Sequence, residues 1–212
     1  MINAHESVIK QQLANKRLLI TGCTGFLGKV LLEKIIREVP DVASITLLIR
    51  GSGKYSSAEE RFKHEIASAS IFDALREQDA TALEQIFDEK VRCITGEITE
   101  ENFGLSSGQW NELAQQVDVM INSAASVNFR EPLDQALSIN TLSLFNFINF
   151  SEAAGKIPLV HVSTCYVNGY NEGQMGEDIV GPTGKKIAQH SDGYYDVESL
   201  IEEFQTAIAQ TK

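Results

Sequence analysis

Residues 17–28 read RLLITGCTGFLG, and the reading of this stretch decides the fold. Arg17–Thr21 is a short apolar run. Glycines follow at 22, 25 and 28, and then the amphipathic run Val30, Leu31, Leu32, Ile35, Ile36. The pattern predicts a strand, a glycine turn and the first turn of a helix. Gly22 lets the strand turn sharply, Gly25 lets a phosphate approach the backbone with no β-carbon in the way, and Gly28 lets the helix pack close to the sheet. The N–H groups from Thr24 through Leu27 then point at an anion, and the helix dipole favours negative charge there. The spacing is G-x-x-G-x-x-G, not the commoner G-x-G-x-x-G, and a glycine triplet alone also fits a turn in some other α/β protein. Placed between a strand and an amphipathic helix, it reads as a site for a dinucleotide pyrophosphate.

Working outward, 212 residues suit one domain with a single substantial core, here a dinucleotide-binding domain over 1–212 that begins with an arm at 1–16. Hydrophobic content of 43% and charged content of 22% are ordinary for a globular protein. A net charge of −11 argues against a nucleic-acid partner, whose footprint would be basic. A phosphate-rich cofactor must therefore be held by local amides and a few cations, against the overall field. Cys23, Cys93 and Cys165 are odd in number and widely spaced, matching neither a disulfide framework nor a zinc site, so a reducing cytoplasm is the expected home. Cys165 lies near the expected active site, but no histidine stands beside it to activate a thiol. The polar start, MINAHESVIKQQLANK, lacks the apolar core of a signal peptide, and no apolar run reaches membrane-spanning length.

The rest of the chain alternates. Strands are predicted at Arg17–Thr21, Ser44–Ile49, Val91–Thr95, Asp118–Asn122 and Leu159–Val162. Helices are predicted from Gly25 to about Val39, after a Ser56-x-x-Glu59 capping box, around Ala82–Phe87, after Ser106-x-x-Gln109, and over about Pro132–Ala154. Alternating strands and helices, with strands that are almost wholly apolar, signal a parallel sheet covered on both faces. Ligands of such sheets bind beyond the carboxyl ends of the strands.

Each of those ends carries candidate residues. Strand two ends in Arg50, where an acid would bond a ribose 2′-hydroxyl; a guanidinium would instead pair with a 2′-phosphate, which favours NADP over NAD. Strand three ends in Gly96-Glu97-Ile98, read either as an adenine contact with Ile98 over the ring or as a solvated turn. Strand four ends in NSAASVNF, whose small Ala124, Ala125 and Ser126 would let the nicotinamide ribose lie against the backbone. Asn140 is polar within an otherwise apolar helix run, which also fits a polar group facing solvent. Strand five ends in HVSTCYVNG, where Ser163 or Thr164 could donate a hydrogen bond to a carbonyl on which negative charge develops.

Taken together, TGCTGFLG, LLIRG, GEI, NSAASVNF, the helix with Asn140, and VSTCYVNG resemble the extended short-chain dehydrogenase/reductase superfamily. Within it they are most similar to the bacterial type of alcohol-forming fatty acyl-CoA reductase, with the thioester-reductase domains of carboxylic acid reductases and peptide synthetases as cousins. The resemblance implies a Rossmann-type doubly wound parallel sheet of order 3-2-1-4-5, helices on both faces, continuing into further strands. It implies NADPH as cofactor and a fatty acyl-CoA as substrate, reduced to an aldehyde and on to a fatty alcohol. Thr164, with Ser163 as the alternate, matches the hydroxyl that polarises the substrate carbonyl. Gly22, Thr24, Gly25, Phe26, Leu27 and Gly28 match the pyrophosphate loop, and Arg50 the 2′-phosphate contact. Glu97 and Ile98 match the adenine pocket, Ala124 and Ala125 the wall beside the ribose, and Asn140 a helix asparagine with a structural or proton-relaying role.

One departure stands out. The family pairs a tyrosine with a lysine four residues on, but Tyr55, Tyr166, Tyr170, Tyr194 and Tyr195 are followed at that distance by Glu59, Tyr170, Gln174, Glu198 and Ser199. The expectation is a cofactor-binding portion of a longer reductase, inactive alone, with 170–212 leading toward the substrate-binding part and Asn171–Gln189 forming a loop over the cleft. A sheet lacking its last strands would also leave an edge open to homodimerisation or aggregation. Two rivals remain on the same residues: a sugar-nucleotide epimerase or dehydratase, which usually prefers NAD, and a non-catalytic NADP-binding sensor.

Overall fold

A computed structural model describes residues 8–166, 173–174, 191 and 196–211. The expected loop over Asn171–Gln189 and three of the five tyrosines lie wholly or mostly outside the described residues. After a short helix α1 (Val8–Leu13), the order is β1 (Arg17–Thr21), α2 (Phe26–Glu38), β2 (Ser44–Ile49), α3 (Ala58–Arg61), α4 (Asp73–Lys90), β3 (Val91–Thr95), α5 (Ser107–Gln115) and β4 (Val119–Asn122). Then come α6 (Leu133–Leu137), α7 (Ser143–Ala153), β5 (Leu159–His161) and α8 (Val197–Thr211). All strand pairs are parallel and the sheet order is β3-β2-β1-β4-β5, a Rossmann-type arrangement. By contact the chain divides into two units, Met1–Glu131 with Ala136–Val162, and Pro132–Gln135 with Ser163–Lys212. The sheet and its glycine loop belong wholly to the first; Ser163, Thr164 and α8 belong to the second.

The sheet is covered on both faces because side chains alternate along each strand. Leu18, Ile20, Ile45, Leu47 and Ile49 pack with Leu32, Ile35 and Ile36 of α2 and with Phe62, Phe72 and Phe87. Leu19, Leu48 and Met120 face the other way, onto Phe103, Trp110, Leu113, Phe147 and Phe150. On that second face the rings interlock, with Phe103 and Phe147 centred 5.0 Å apart and Trp110 and Phe150 edge-on at 4.9 Å. Such pairs add about 0.5–1.5 kcal/mol each beyond area burial.

Local chemistry sets the helix ends, and it departs from the sequence expectation in three places. The cap of α3 is Ser57, not Ser56: its hydroxyl accepts from the Glu60 N–H at 3.1 Å, while the Glu60 carboxylate takes the Ser56 N–H and hydroxyl. The helix expected at Ala82–Phe87 begins at Asp73, and a break at Asp79 (φ −162°, ψ 95°) lets its carboxylate cap the continuation by accepting from the Ala82 N–H. The single long helix expected over Pro132–Ala154 is α6 and α7 joined through a π-helical stretch at Ser138–Leu142. The Ser106 capping box is present as expected, its hydroxyl accepting from the Gln109 N–H.

A pair of charges fixes the amino end of the sheet. The Arg17 guanidinium donates to Asp118 at 2.7 and 3.0 Å, and the Arg17 N–H donates to the same carboxylate at 2.8 Å. These bonds hold the Asp118 carboxyl down from 3.8 to about 2. They lie at the opposite end of β1 from the glycine loop and serve the fold alone.

Candidate dinucleotide site

At the carboxyl end of β1 the backbone turns at Gly22 with φ +79°, a conformation that suits glycine. A β-carbon there would sit 2.5 Å from the Ser123 carbonyl carbon and 2.6 Å from the Ala124 nitrogen, so the turn rests directly on the chain leaving β4. Gly28 is equally constrained: its β-carbon would meet the Gly22 carbonyl oxygen at 2.3 Å and the Cys23 α-carbon at 2.7 Å, so the helix packs directly on the turn that ends β1. Gly25 caps α2 with no side chain, and its own N–H donates to the Gly22 oxygen at 3.0 Å. That removes Gly25 from the run of anion-facing N–H groups expected between Thr24 and Leu27. Phe26 and Leu27 open the helix, where N–H groups have no partner within the helix. Their side chains are exposed, Phe26 at 86%. An uncapped helix start with a strand end behind it fits a pyrophosphate.

Arg50 follows β2, and its Nε lies 3.9 Å from the Glu97 carboxylate that follows β3. Both expected adenosine-side residues thus stand together at one edge of the sheet. Sequence reading missed Arg61, which donates to the Arg50 carbonyl at 2.6 Å and pairs with Glu65 at 2.9 Å. Nothing in the spacing from Arg50 signals that contact, because the intervening loop sets it. Ile98 is placed differently from its expected role over the adenine. Its side chain is enclosed in the second core cluster, and its carbonyl accepts from the Asn146 side chain at 2.8 Å.

Beyond β4, Ala124 is half-buried and Ala125 exposed. Asn140 holds this loop from the π-helical stretch: its Oδ1 accepts from the Ser126 N–H at 2.8 Å and its Nδ2 donates to the Ser126 carbonyl at 3.0 Å. An amide side chain that pairs both ways with one residue's backbone acts as an added peptide group. Ser126 also donates to Glu131. Beneath the loop Asn122 is buried, bonded to Thr21, to the Ala124 N–H and to His161. Sequence reading did not single out Asn122 as a site residue.

In the second unit Ser163 and Thr164 are exposed, and the Thr164 hydroxyl oxygen accepts from the Tyr166 N–H at 3.0 Å. Cys165 is exposed, whereas burial pushes the Cys23 and Cys93 thiols up to about 12 and keeps them protonated. Among the described residues no helix is long and apolar enough to cross a membrane.

Residues 20–207 match the NAD-binding family described as "male sterility protein". Fatty acyl-CoA reductase 2, chloroplastic, of Arabidopsis thaliana is 43% identical over 78% of this chain and 27% of its own length. The alcohol-forming fatty acyl-CoA reductase of Simmondsia chinensis is 33% identical over 96% of this chain and 42% of its own length. The crystal structure of the terminal R domain from the myxalamid PKS-NRPS biosynthetic pathway is 25% identical, with a TM-score of 0.66, over 90% of this chain and 44% of that one. The chain therefore spans less than half the length of each of these relatives. With its 3-2-1-4-5 sheet and a glycine loop at the end of β1, the chain belongs to the NAD-binding "male sterility protein" family, a branch of the extended short-chain dehydrogenases/reductases.

Proposed function

We propose that this chain is the NADPH-binding part of a reductase that converts a fatty acyl-CoA thioester to an aldehyde and on to a fatty alcohol. The observation that carries the reading is the juxtaposition of two features along the strand ends. An uncapped helix start lies over the Gly22 turn, and the Arg50 guanidinium follows the next strand. The relatives' names, both fatty acyl-CoA reductases, support the substrate class.

In this reading the N–H groups of Phe26 and Leu27 hold the pyrophosphate, with Thr24 beside them, and Gly22, Gly25 and Gly28 keep the approach clear of side chains. Arg50 meets the 2′-phosphate with a charge-assisted hydrogen bond, and the adenine lies toward Glu97. Ala124 and Ala125 line the ribose nearer the nicotinamide, on a loop that Asn140 clamps. NADPH, when bound, supplies the hydride. Thr164, with Ser163 as the alternate, donates its hydroxyl proton in a hydrogen bond to the thioester carbonyl oxygen as that oxygen gains charge. The partner tyrosine and lysine of this chemistry are not paired at the family's spacing anywhere in the sequence, so they would come from a further segment of the protein. Three free cysteines fit a reducing compartment such as the cytoplasm.

The test is turnover by the protein carrying this chain at the length of its relatives, following NADPH loss on adding a long-chain acyl-CoA. The expected result is acyl-CoA-dependent oxidation that falls by about 100-fold or more in Thr164→Ala. NADPH loss indifferent to acyl-CoA, or an undiminished Thr164→Ala rate, contradicts the reading.

A further inference from the structure

Asn122 is 1% exposed, and its amide has three partners. Oδ1 accepts from the Thr21 hydroxyl at 2.6 Å and from the Ala124 N–H at 3.0 Å, while Nδ2 stands 3.1 Å from His161 Nδ1. A backbone N–H can only donate, so the amide has a single orientation, oxygen toward Ala124 and nitrogen toward the histidine. An amide nitrogen also only donates. His161 Nδ1 must therefore carry the lone pair, and its proton sits on Nε2. The Ala124 nitrogen held in this way lies 2.6 Å from where a β-carbon on Gly22 would be, and the Ser123 carbonyl carbon lies at 2.5 Å. The peptide pinned by Asn122 is thus the one on which the glycine turn rests. Side-chain bonds from Asn122 reach β1 and β5, and its carbonyl accepts from the Val162 N–H at 2.9 Å.

We propose that Asn122 is a positioning residue for the cofactor. It holds the Ser123–Ala124 peptide, and through it the Gly22 turn, with an Nε2-protonated His161 as its anchor on β5. The proposal rests on the dinucleotide reading given above. Asn122→Asp separates its parts, because the carboxylate keeps an acceptor for Thr21 and Ala124 but offers His161 an acceptor where a donor had been.

The test uses the 212-residue chain. Nitrogen-15 imidazole spectra, with the His161 signals assigned by their loss in His161→Gln, report the tautomer directly. Wild type should show Nε2 protonated and Nδ1 bare, and Asn122→Asp should move the proton to Nδ1. NADPH titrations of the same samples should give a Kd about tenfold weaker for Asn122→Asp, about 1.4 kcal/mol. His161→Gln, whose side-chain oxygen can still accept from Asn122, should stay within about twofold of wild type. A merely structural role would lower stability and move the imidazole proton but leave the NADPH affinity of the folded chain unchanged. An Nδ1-protonated His161 in wild type overturns the assignment, and so does an Asn122→Asp chain that binds NADPH like wild type. Should Asn122→Asp fail to fold, His161→Leu removes the acceptor at an exposed position; affinity equal to that of His161→Gln overturns the proposal. A wild-type chain that binds neither NADPH nor NADH overturns the dinucleotide reading together with this one, whereas normal binding with an indifferent Asn122→Asp overturns this one alone.

Discussion

The Gly22 carbonyl oxygen lies 2.3 Å from the place a β-carbon on Gly28 would occupy. The turn and the helix that follows are therefore locked to each other, six residues apart, by the absence of one methyl group. Gly28→Ala ordinarily gains about 1 kcal/mol in a helix interior. Here the neighbouring atoms are backbone and cannot yield, so the account predicts a net loss of about 1–3 kcal/mol. Urea unfolding of the two proteins measures it, and unchanged or raised stability would contradict the packing described.

Asn140 makes a different kind of link, two hydrogen bonds to Ser126. Asn140→Ala should lower stability by about 1–2 kcal/mol and weaken dinucleotide binding, because the loop carrying Ala124 and Ala125 loses its clamp. A polar residue that merely faces solvent would change stability by less than about 0.5 kcal/mol on the same substitution. Thermal unfolding with and without NADPH distinguishes the two.

The Asp118 carboxyl is depressed from 3.8 to about 2 by its bonds to Arg17. A group with a lowered folded-state pKa contributes stability above its unfolded pKa, and that contribution disappears as pH falls through the folded value. The Arg17–Asp118 contribution is thus complete above about pH 4 and lost by about pH 2. Solvent reaches both side chains, so screening reduces it to about 1 kcal/mol. Asp118→Asn should remove that pH-dependent component and leave NADPH affinity unchanged, since the pair sits at the amino end of the sheet. An equally steep acid transition in Asp118→Asn would count against this.

The thiols are separated by burial. With Cys23 and Cys93 pushed up to about 12, alkylation near neutral pH should label exposed Cys165 first. The other two should react more than about tenfold more slowly until the chain is unfolded. Mass spectrometry after a timed iodoacetamide pulse reads the order, and early labelling of Cys23 would show that the glycine turn opens.

The sheet was legible because its central strands β1, β2 and β4 are buried on both faces and read as nearly continuous apolar runs. Helix starts were legible where the capping pattern fits one register alone, as at Ser106, which has Gln109 three residues on while the adjoining Ser107 has Trp110. They were not where Ser56 and Ser57 adjoin and Glu59 and Glu60 adjoin, since the capping pattern fits both registers. The first part of α4, DALREQD, is polar enough to resemble a loop, and its helical state comes from its surroundings. Ile98 looked available to a ring because sequence cannot tell which face of a turn meets the core. Asn122 and Arg61 escaped notice for a related reason. Asn122 bonds to Thr21 across 101 residues, and Arg61 reaches Arg50 through the path of a loop.

The central claim is that the extra phosphate of a phosphorylated dinucleotide meets Arg50. Calorimetric titration of the chain with NADPH and with NADH, repeated on Arg50→Ala, tests it most directly. The account predicts that wild type binds NADPH tighter than NADH by about tenfold or more, from a charged hydrogen bond of about 1.5–3 kcal/mol. Arg50→Ala should erase that preference and leave NADH affinity where it was. Equal wild-type affinity for the two nucleotides, or a preference that survives the loss of Arg50, would contradict it.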